Sequence, residues 1–92
     1  MGTLQDVLEA LSDPVRLEMV RRMAVAGEPV ACSDLYDSVS KSTASHHFKV
    51  LRESGLTERV TIGGQTHQRL RLSDLEDAFP GVVSSVVAAS KA

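Results

Sequence analysis

The chain has no tryptophan, and Tyr36, Phe48 and Phe79 are the only aromatic side chains among its 92 residues. A core must therefore be assembled from Leu, Val, Met and Ala rather than from large rings. One cysteine, Cys32, permits no internal disulfide and suits a reducing compartment. No charged-then-apolar leader opens the sequence, and no apolar run nears the roughly 20 residues that span a bilayer. These absences point to a soluble, cytoplasmic protein with no membrane partner. Signatures of catalysis are also missing: there is no H-E-x-x-H and no glycine-rich phosphate loop after a strand. Neither an enzyme nor a cofactor is expected. At this length the chain makes one small domain, which buries limited apolar surface alone.

A net charge of −2 speaks against a nucleic-acid partner, but its distribution speaks for one. Residues 38–72 hold Lys41, Lys49, Arg52, Arg59, Arg69 and Arg71 against Glu53 and Glu58, a surplus of four positive charges. The remainder carries a surplus of six negative charges. His46, His47 and His67 also fall in the positive part. A surface that faces phosphate is governed by its local sign.

Read in order, the chain marks its own elements. Thr3 with Asp6 forms a capping-box pattern ahead of a short helix over residues 4–11, whose Leu4, Val7, Leu8 and Leu11 make an apolar stripe. Asp13 and Pro14 open a second helix as cap and first helical residue; Leu17, Val20, Met23 and Ala24 line it, and Gly27 stops it. A short third helix is expected from near Ser33, carrying Leu35, Tyr36 and Val39. Residues 42–54 then form a fourth helix, closed by Gly55.

After Gly55 the period changes from 3.6 to 2. Val60 and Ile62 alternate with Arg59 and Thr61, and Leu70 and Leu72 with Arg69 and Arg71, around Gly63-Gly64. A hairpin with an apolar face for the core and a face of arginines is expected. Ser73 and Glu76 repeat the capping-box pattern and open a last helical region to about residue 90, interrupted at Pro80. A brief Ser90-Lys91-Ala92 tail follows.

The fourth helix is the informative stretch. Ala44, His47, Phe48 and Leu51 recur at i, i+3, i+4 and i+7 and form a stripe for a core. The opposite face carries Ser42, Ser45, His46 and Lys49, small or planar hydrogen-bonding groups and one cation. Such a face suits the major groove of DNA, where base edges offer donors and acceptors. Lys41 and Thr43 stand near the helix start, where free N–H groups and the dipole favour phosphate. His47 lies on the buried stripe, so a hydrogen-bonded structural role competes with DNA contact. Arg16, close to Asp13 and Glu9, reads as structural. Two short helices joined by a turn, the second polar, followed by a basic hairpin, make a winged helix-turn-helix of order α-α-α-α-β-β-α.

Three motifs carry a resemblance. Leu11-Ser12-Asp13-Pro14-Val15-Arg16-Leu17 resembles the L-x-D-P-x-R-L opening of the second helix in arsenic-repressor-type (ArsR-type) regulators. Residues 42–52, S-T-A-S-H-H-F-K-V-L-R, resemble that family's S-x-x-S-x-H-L-x-x-L-R recognition helix, with Phe48 in place of leucine. Gly55-Leu56 and the basic hairpin resemble its G-L-V and wing. The resemblance implies a dimeric repressor on double-stranded DNA with an imperfectly palindromic operator. It implies DNA contacts from Lys41, Ser42, Thr43, Ser45, His46, His47, Lys49 and Arg52, and from Arg59, Gln65, His67 and Arg69 on the wing.

The family's metal sites are not matched. A C-V-C-D-L pattern is replaced by Ala31-Cys32-Ser33-Asp34-Leu35, where Cys32 falls between the two sulfur positions, and residues 73–92 contain no histidine. A soft-metal site needs two or more thiolates or imidazoles together, so no metal ligand is assigned.

Terminal helices, about residues 4–11 and 74–90, are expected to form a homodimer interface. The residues for it are Leu4, Val7, Leu8 and Leu11 on one helix and Val82, Val83, Val86 and Val87 on the other. Residues 1–92 are read as a single DNA-binding domain. Two alternatives remain: a winged-helix module that binds protein, and a regulator switched through the Cys32 thiol.

Overall fold

A computed structural model of the chain describes residues 2–90; Lys91 and Ala92 of the expected tail lie outside the described residues. The elements run α1 Leu4–Leu11, α2 Pro14–Ala26, β1 Val30–Ala31, a 3₁₀ turn Cys32–Asp34, α3 Lys41–Ser54, β2 Thr57–Ile62, β3 Gln65–Leu70, α4 Leu72–Ala78 and α5 Val82–Ala89. The fold is mainly α with a hairpin, as the sequence pattern predicts. Among the described residues no helix is long and apolar enough to cross a membrane.

The helix ends follow local chemistry. Thr3 and Asp6 complete their capping box. Asp13 accepts from the N–H groups of Val15 (2.8 Å) and Arg16 (3.1 Å), with Pro14 in the first turn. Gly27 and Gly55 close α2 and α3 in the left-handed region, at φ 67° and 89°, where a Cβ would be strained. Gly63 and Gly64, at φ 58° and 79°, make the two-residue hairpin turn.

Three expectations need correction. The predicted third helix near Ser33 is only the 3₁₀ turn at Cys32–Asp34. The Asp34 carbonyl, which a helix would use internally, accepts from Arg22 Nη1 at 3.1 Å, and Asp37 pairs with the same guanidinium. The chain before it forms β1 instead, which joins β3 to make an antiparallel sheet of order β1-β3-β2. A two-residue strand has no readable period.

The capping box at Ser73 does not form either. Arg71 occupies the cap position of α4 and makes no side-chain capping bond. Glu76 reaches forward instead and accepts from the N–H groups of Gly81 (2.8 Å) and Ser84 (3.3 Å), capping α5 across the Pro80 break. The Gly81 N–H and Ser84 hold the Glu76 carboxyl below its ordinary range.

The hairpin alternates as predicted and Leu70 of β3 packs against the core, but on β2 the face opposite to Val60 and Ile62 turns inward. Thr57 and Gln68 are buried at 2% and 1% exposure and bonded to each other, whereas Ile62 is 46% exposed and Leu72 is 41% exposed. Leu72 opens α4 rather than extending the strand.

The core joins Val7, Ala10 and Leu11 of α1, Met19, Val20 and Met23 of α2, the α3 stripe, Leu56, Leu75, Val83 and Val87. Helix α1 packs on α2 and α3, and α5 on α2 and α4. At the far side of α2, Glu18 pairs with Arg21 and Arg22, and Arg22 also pairs with Asp37. Hydrogen bonds from Arg21, then Arg22, hold the Glu18 carboxyl down to about 2. A depressed acid contributes stability above its unfolded pKa and loses it as pH falls through the folded value. Urea unfolding is therefore expected to weaken between about pH 5 and pH 2, by no more than about 1 kcal/mol from these half-exposed pairs, and Glu18→Gln should flatten that part of the profile.

Candidate nucleic-acid interface

Helix α3 is held by its inner face. Ala44, His47, Phe48 and Leu51 are at most 8% exposed, the stripe the spacing predicts. Ser40 caps the start, its hydroxyl accepting from the Thr43 N–H at 3.1 Å, so the helix begins at Lys41. Lys41, Ser42, Thr43, Ser45, His46 and Lys49 are all exposed, and Arg52 is half-buried. Residues 38–52 contain no acidic side chain. The outer face thus offers hydroxyls, an imidazole and cations from one rigid support.

His47 departs from that set. It is 8% exposed, and Arg16 Nη1 donates to its Nδ1 at 3.1 Å. A guanidinium cannot accept, so Nδ1 carries the lone pair and the ring proton sits on Nε2, 4.0 Å from Asp13 Oδ1. Arg16 Nε also donates to the Ala10 carbonyl at 2.7 Å. One arginine thereby ties the end of α1 to α3, and the His47 ring is engaged inside the fold. The sequence places Arg16 near Asp13 and Glu9; its partnership with His47 spans 31 residues and has no local signal.

The wing is likewise rearranged. Pairing Arg59 with Gln68 and Glu58 with Arg69 puts the two arginines on opposite faces of the sheet, because successive side chains alternate. The expected single face of arginines does not exist. Arg59, with Thr66 and Gln68, turns toward α3 and lines a cleft beside Lys41, Ser45 and Arg52. Gln65, His67 and Arg69 share the other face with Val60 and Ile62. There Arg69 pairs with Glu58, and His67 Nδ1 donates to the Gln65 carbonyl at 3.0 Å. Arg71 pairs with Asp74 at 3.1 Å at the start of α4. Among the described residues, Lys41, Lys49, Arg52 and Arg59 have no carboxylate partner.

Of the residues assigned to an interface between copies, Val7, Leu11, Val83 and Val87 are covered within the chain. A second copy has little of them left to bury. Leu4 and Leu8 are 37% and 45% exposed, and Val82 and Val86 are half-buried. The residues around Cys32 do not fit a metal site, since among the described residues no three His, Cys, Asp or Glu side chains converge.

A helix whose outer face is cationic and free of acids up to Arg52, seated on a helical core beside a two-stranded wing, defines a winged helix-turn-helix DNA-binding protein. Comparison with known proteins agrees. A family model described as a helix-turn-helix domain matches residues 11–60. The uncharacterized HTH-type transcriptional regulator YceK of Bacillus subtilis (strain 168) is 33% identical over 82 residues, covering 87% of this chain and 82% of that protein. The crystal structure of the transcriptional repressor BigR from Xylella fastidiosa superposes with a TM-score of 0.70 at 26% identity, over 94% of this chain and 80% of that one. An ArsR-like transcriptional regulator from Rhodococcus sp. RHA1 shares the fold, with a TM-score of 0.70 at 23% identity over 96% of this chain and 83% of that one.

The chain belongs to the helix-turn-helix family of transcriptional regulators, and its winged fold is of the ArsR type.

Removing the His47 ring leaves the Arg16 guanidinium short of an acceptor in a part-buried site. His47→Ala is expected to lower unfolding free energy by about 1–3 kcal/mol in urea. His47→Asn, which keeps an acceptor near the Nδ1 position, should recover part of the loss; equal losses in both variants would mean that the ring acts by packing alone.

Proposed function

We propose that this regulator is a homodimeric repressor which reads an imperfectly palindromic operator through α3 and grips the flanking backbone through Arg59 and the wing. The observation that carries this reading is the division of α3. One side is locked into the core, and the other presents Ser42, Ser45, His46 and Lys49 in a stretch, residues 38–52, that holds no acid. Lys49 as a donor suits guanine O6 and N7, and His46 and the serines suit either donors or acceptors on base edges. Lys41 and Thr43, at the amino end of α3, suit phosphate.

Dimerisation is supported by two rows of apolar residues. Leu4 and Leu8 stand outward on α1 while Val7 and Leu11 face in, and Val82 and Val86 remain partly open on α5. Covering such rows is the usual reason for an apolar ridge on a surface helix. Two-fold pairing places recognition helices in successive major grooves roughly 34–36 Å apart, a span comparable to the 33 Å long axis of one subunit. Repression is supported by the likeness to the transcriptional repressor BigR. The regulator acts in the cytoplasm, and its release signal does not pass through either metal site common in the family.

Lys49→Ala and His46→Ala should each relax sequence preference, at about 1–3 kcal/mol per lost base contact. Arg59→Ala should weaken all sequences alike and reduce the salt dependence. Fluorescence anisotropy with operator and scrambled duplexes checks both; unchanged affinity and preference in the two α3 variants would sink the assignment of the reading face. Sedimentation tests the assembly: the wild type is expected to be dimeric at micromolar concentration, and Leu8→Glu to shift it to monomer with its helical circular dichroism retained.

A further inference from the structure

We propose that the cleft between α3 and the wing is an effector site for a small single-ring carboxylate, and that its occupant excludes DNA. The second half rests on the DNA-binding reading above; the first does not.

The cleft measures about 260 Å³, on the scale of one ring and below the roughly 300 Å³ where sites for larger organic ligands begin. Its floor is apolar in a chain with little aromatic material to spend. Tyr36 and Phe48, two of the three aromatic residues, meet there edge to face with centroids 6.2 Å apart. The half-buried Cys32 lies beside them.

Cations form the rim. Lys41, Arg52 and Arg59 all line the cleft, and among the described residues none has a carboxylate partner. Arg21, Arg22, Arg69 and Arg71, by contrast, are each matched to an acid. Positive charge over apolar ground attracts an anion more strongly than it does in open water.

A buried donor completes the site. Gln68 is 1% exposed and stands directly across the ladder from Arg59. Its carbonyl accepts from Thr57 Oγ1 at 3.2 Å, but its amide nitrogen has only the Cys32 sulfur, at 3.8 Å. Thiol sulfur is a weak acceptor, and a buried amide ordinarily finds a better one. A carboxylate oxygen held by Arg59 supplies it.

A DNA phosphate can satisfy the cations but cannot cover the aromatic floor. A ring bearing one carboxylate does both. Because Lys41, Ser45 and Arg59 line the cleft and also belong to the proposed DNA contacts, ligand and operator compete for the same side chains.

The chain contains one tyrosine and no tryptophan, so intrinsic emission reports from Tyr36 in the cleft itself. The probe is cyclohexanecarboxylate, which is optically silent, with cyclohexylmethanol as neutral control and inorganic phosphate as a bare anion. Cyclohexanecarboxylate is expected to change Tyr36 emission saturably, while the alcohol and phosphate do not. Arg52→Gln is expected to raise the dissociation constant at least tenfold, with unchanged circular dichroism. Saturating carboxylate should weaken operator binding at least tenfold in anisotropy.

Absence of a saturable response, an equal response to the alcohol or to phosphate, or wild-type affinity in Arg52→Gln overturns the site. Carboxylate binding without loss of operator affinity overturns the competition. A chain that binds carboxylate and ignores every duplex upholds the site and refutes the DNA reading, so the two failures are distinguishable.

Discussion

The structure depends on how one helix is anchored. A recognition surface works only if its support does not roll or slide, and α3 is held at three kinds of contact. Its apolar stripe is buried against α1 and α2. Its one buried imidazole is bonded to Arg16, which itself holds the end of α1 through the Ala10 carbonyl. The turn ahead of it is gripped by Arg22 through Asp34 and Asp37. Two arginines on α2 thereby set where α3 begins and which way it faces. Packing alone leaves a short helix some freedom to rotate; directed hydrogen bonds to a part-buried guanidinium remove it.

The same economy sorts the charges. The chain is acidic in total, yet its surface is not uniformly so. Acids on α2, in the 32–37 turn, on the outer face of the wing and on α4 are consumed by neighbouring arginines. Among the described residues Lys41, Arg52 and Arg59, which face the groove between α3 and the wing, keep no carboxylate partner. A field of one sign there arises from the local surplus of positive residues in 38–72, whose groove-facing members are left out of the ion pairs formed elsewhere. This is why the net charge misleads and the local inventory does not.

Much of this was legible in the residues. Helix ends were readable because caps and stops are local: Thr3 and Asp6, Asp13 and Pro14, and Gly27 and Gly55 need only their own neighbours. The α3 stripe was readable because a 3.6 period over a full helix is a strong signal, and the hairpin turn because Gly63-Gly64 suits positive φ at both positions. The third helix was misjudged because a guanidinium twelve or more residues away claims the carbonyl and carboxylate at residues 34 and 37. The capping role of Glu76 was misassigned because a pattern match at Ser73 cannot see that a break at Pro80 brings the next helix within reach.

Local spacing, capping chemistry and the clustering of cations determined by themselves that this is a winged helix-turn-helix protein and which helix presents its polar face. Tertiary structure decided which way the wing turns, since alternation defines two faces but only packing selects the buried one. It decided that His47 works inside the fold and that Arg59 and Arg69 part company. It also brought Tyr36, Phe48 and Gln68 to one cleft. Each of these outcomes depends on partners distant along the chain, and neither a residue's type nor its spacing carries that information.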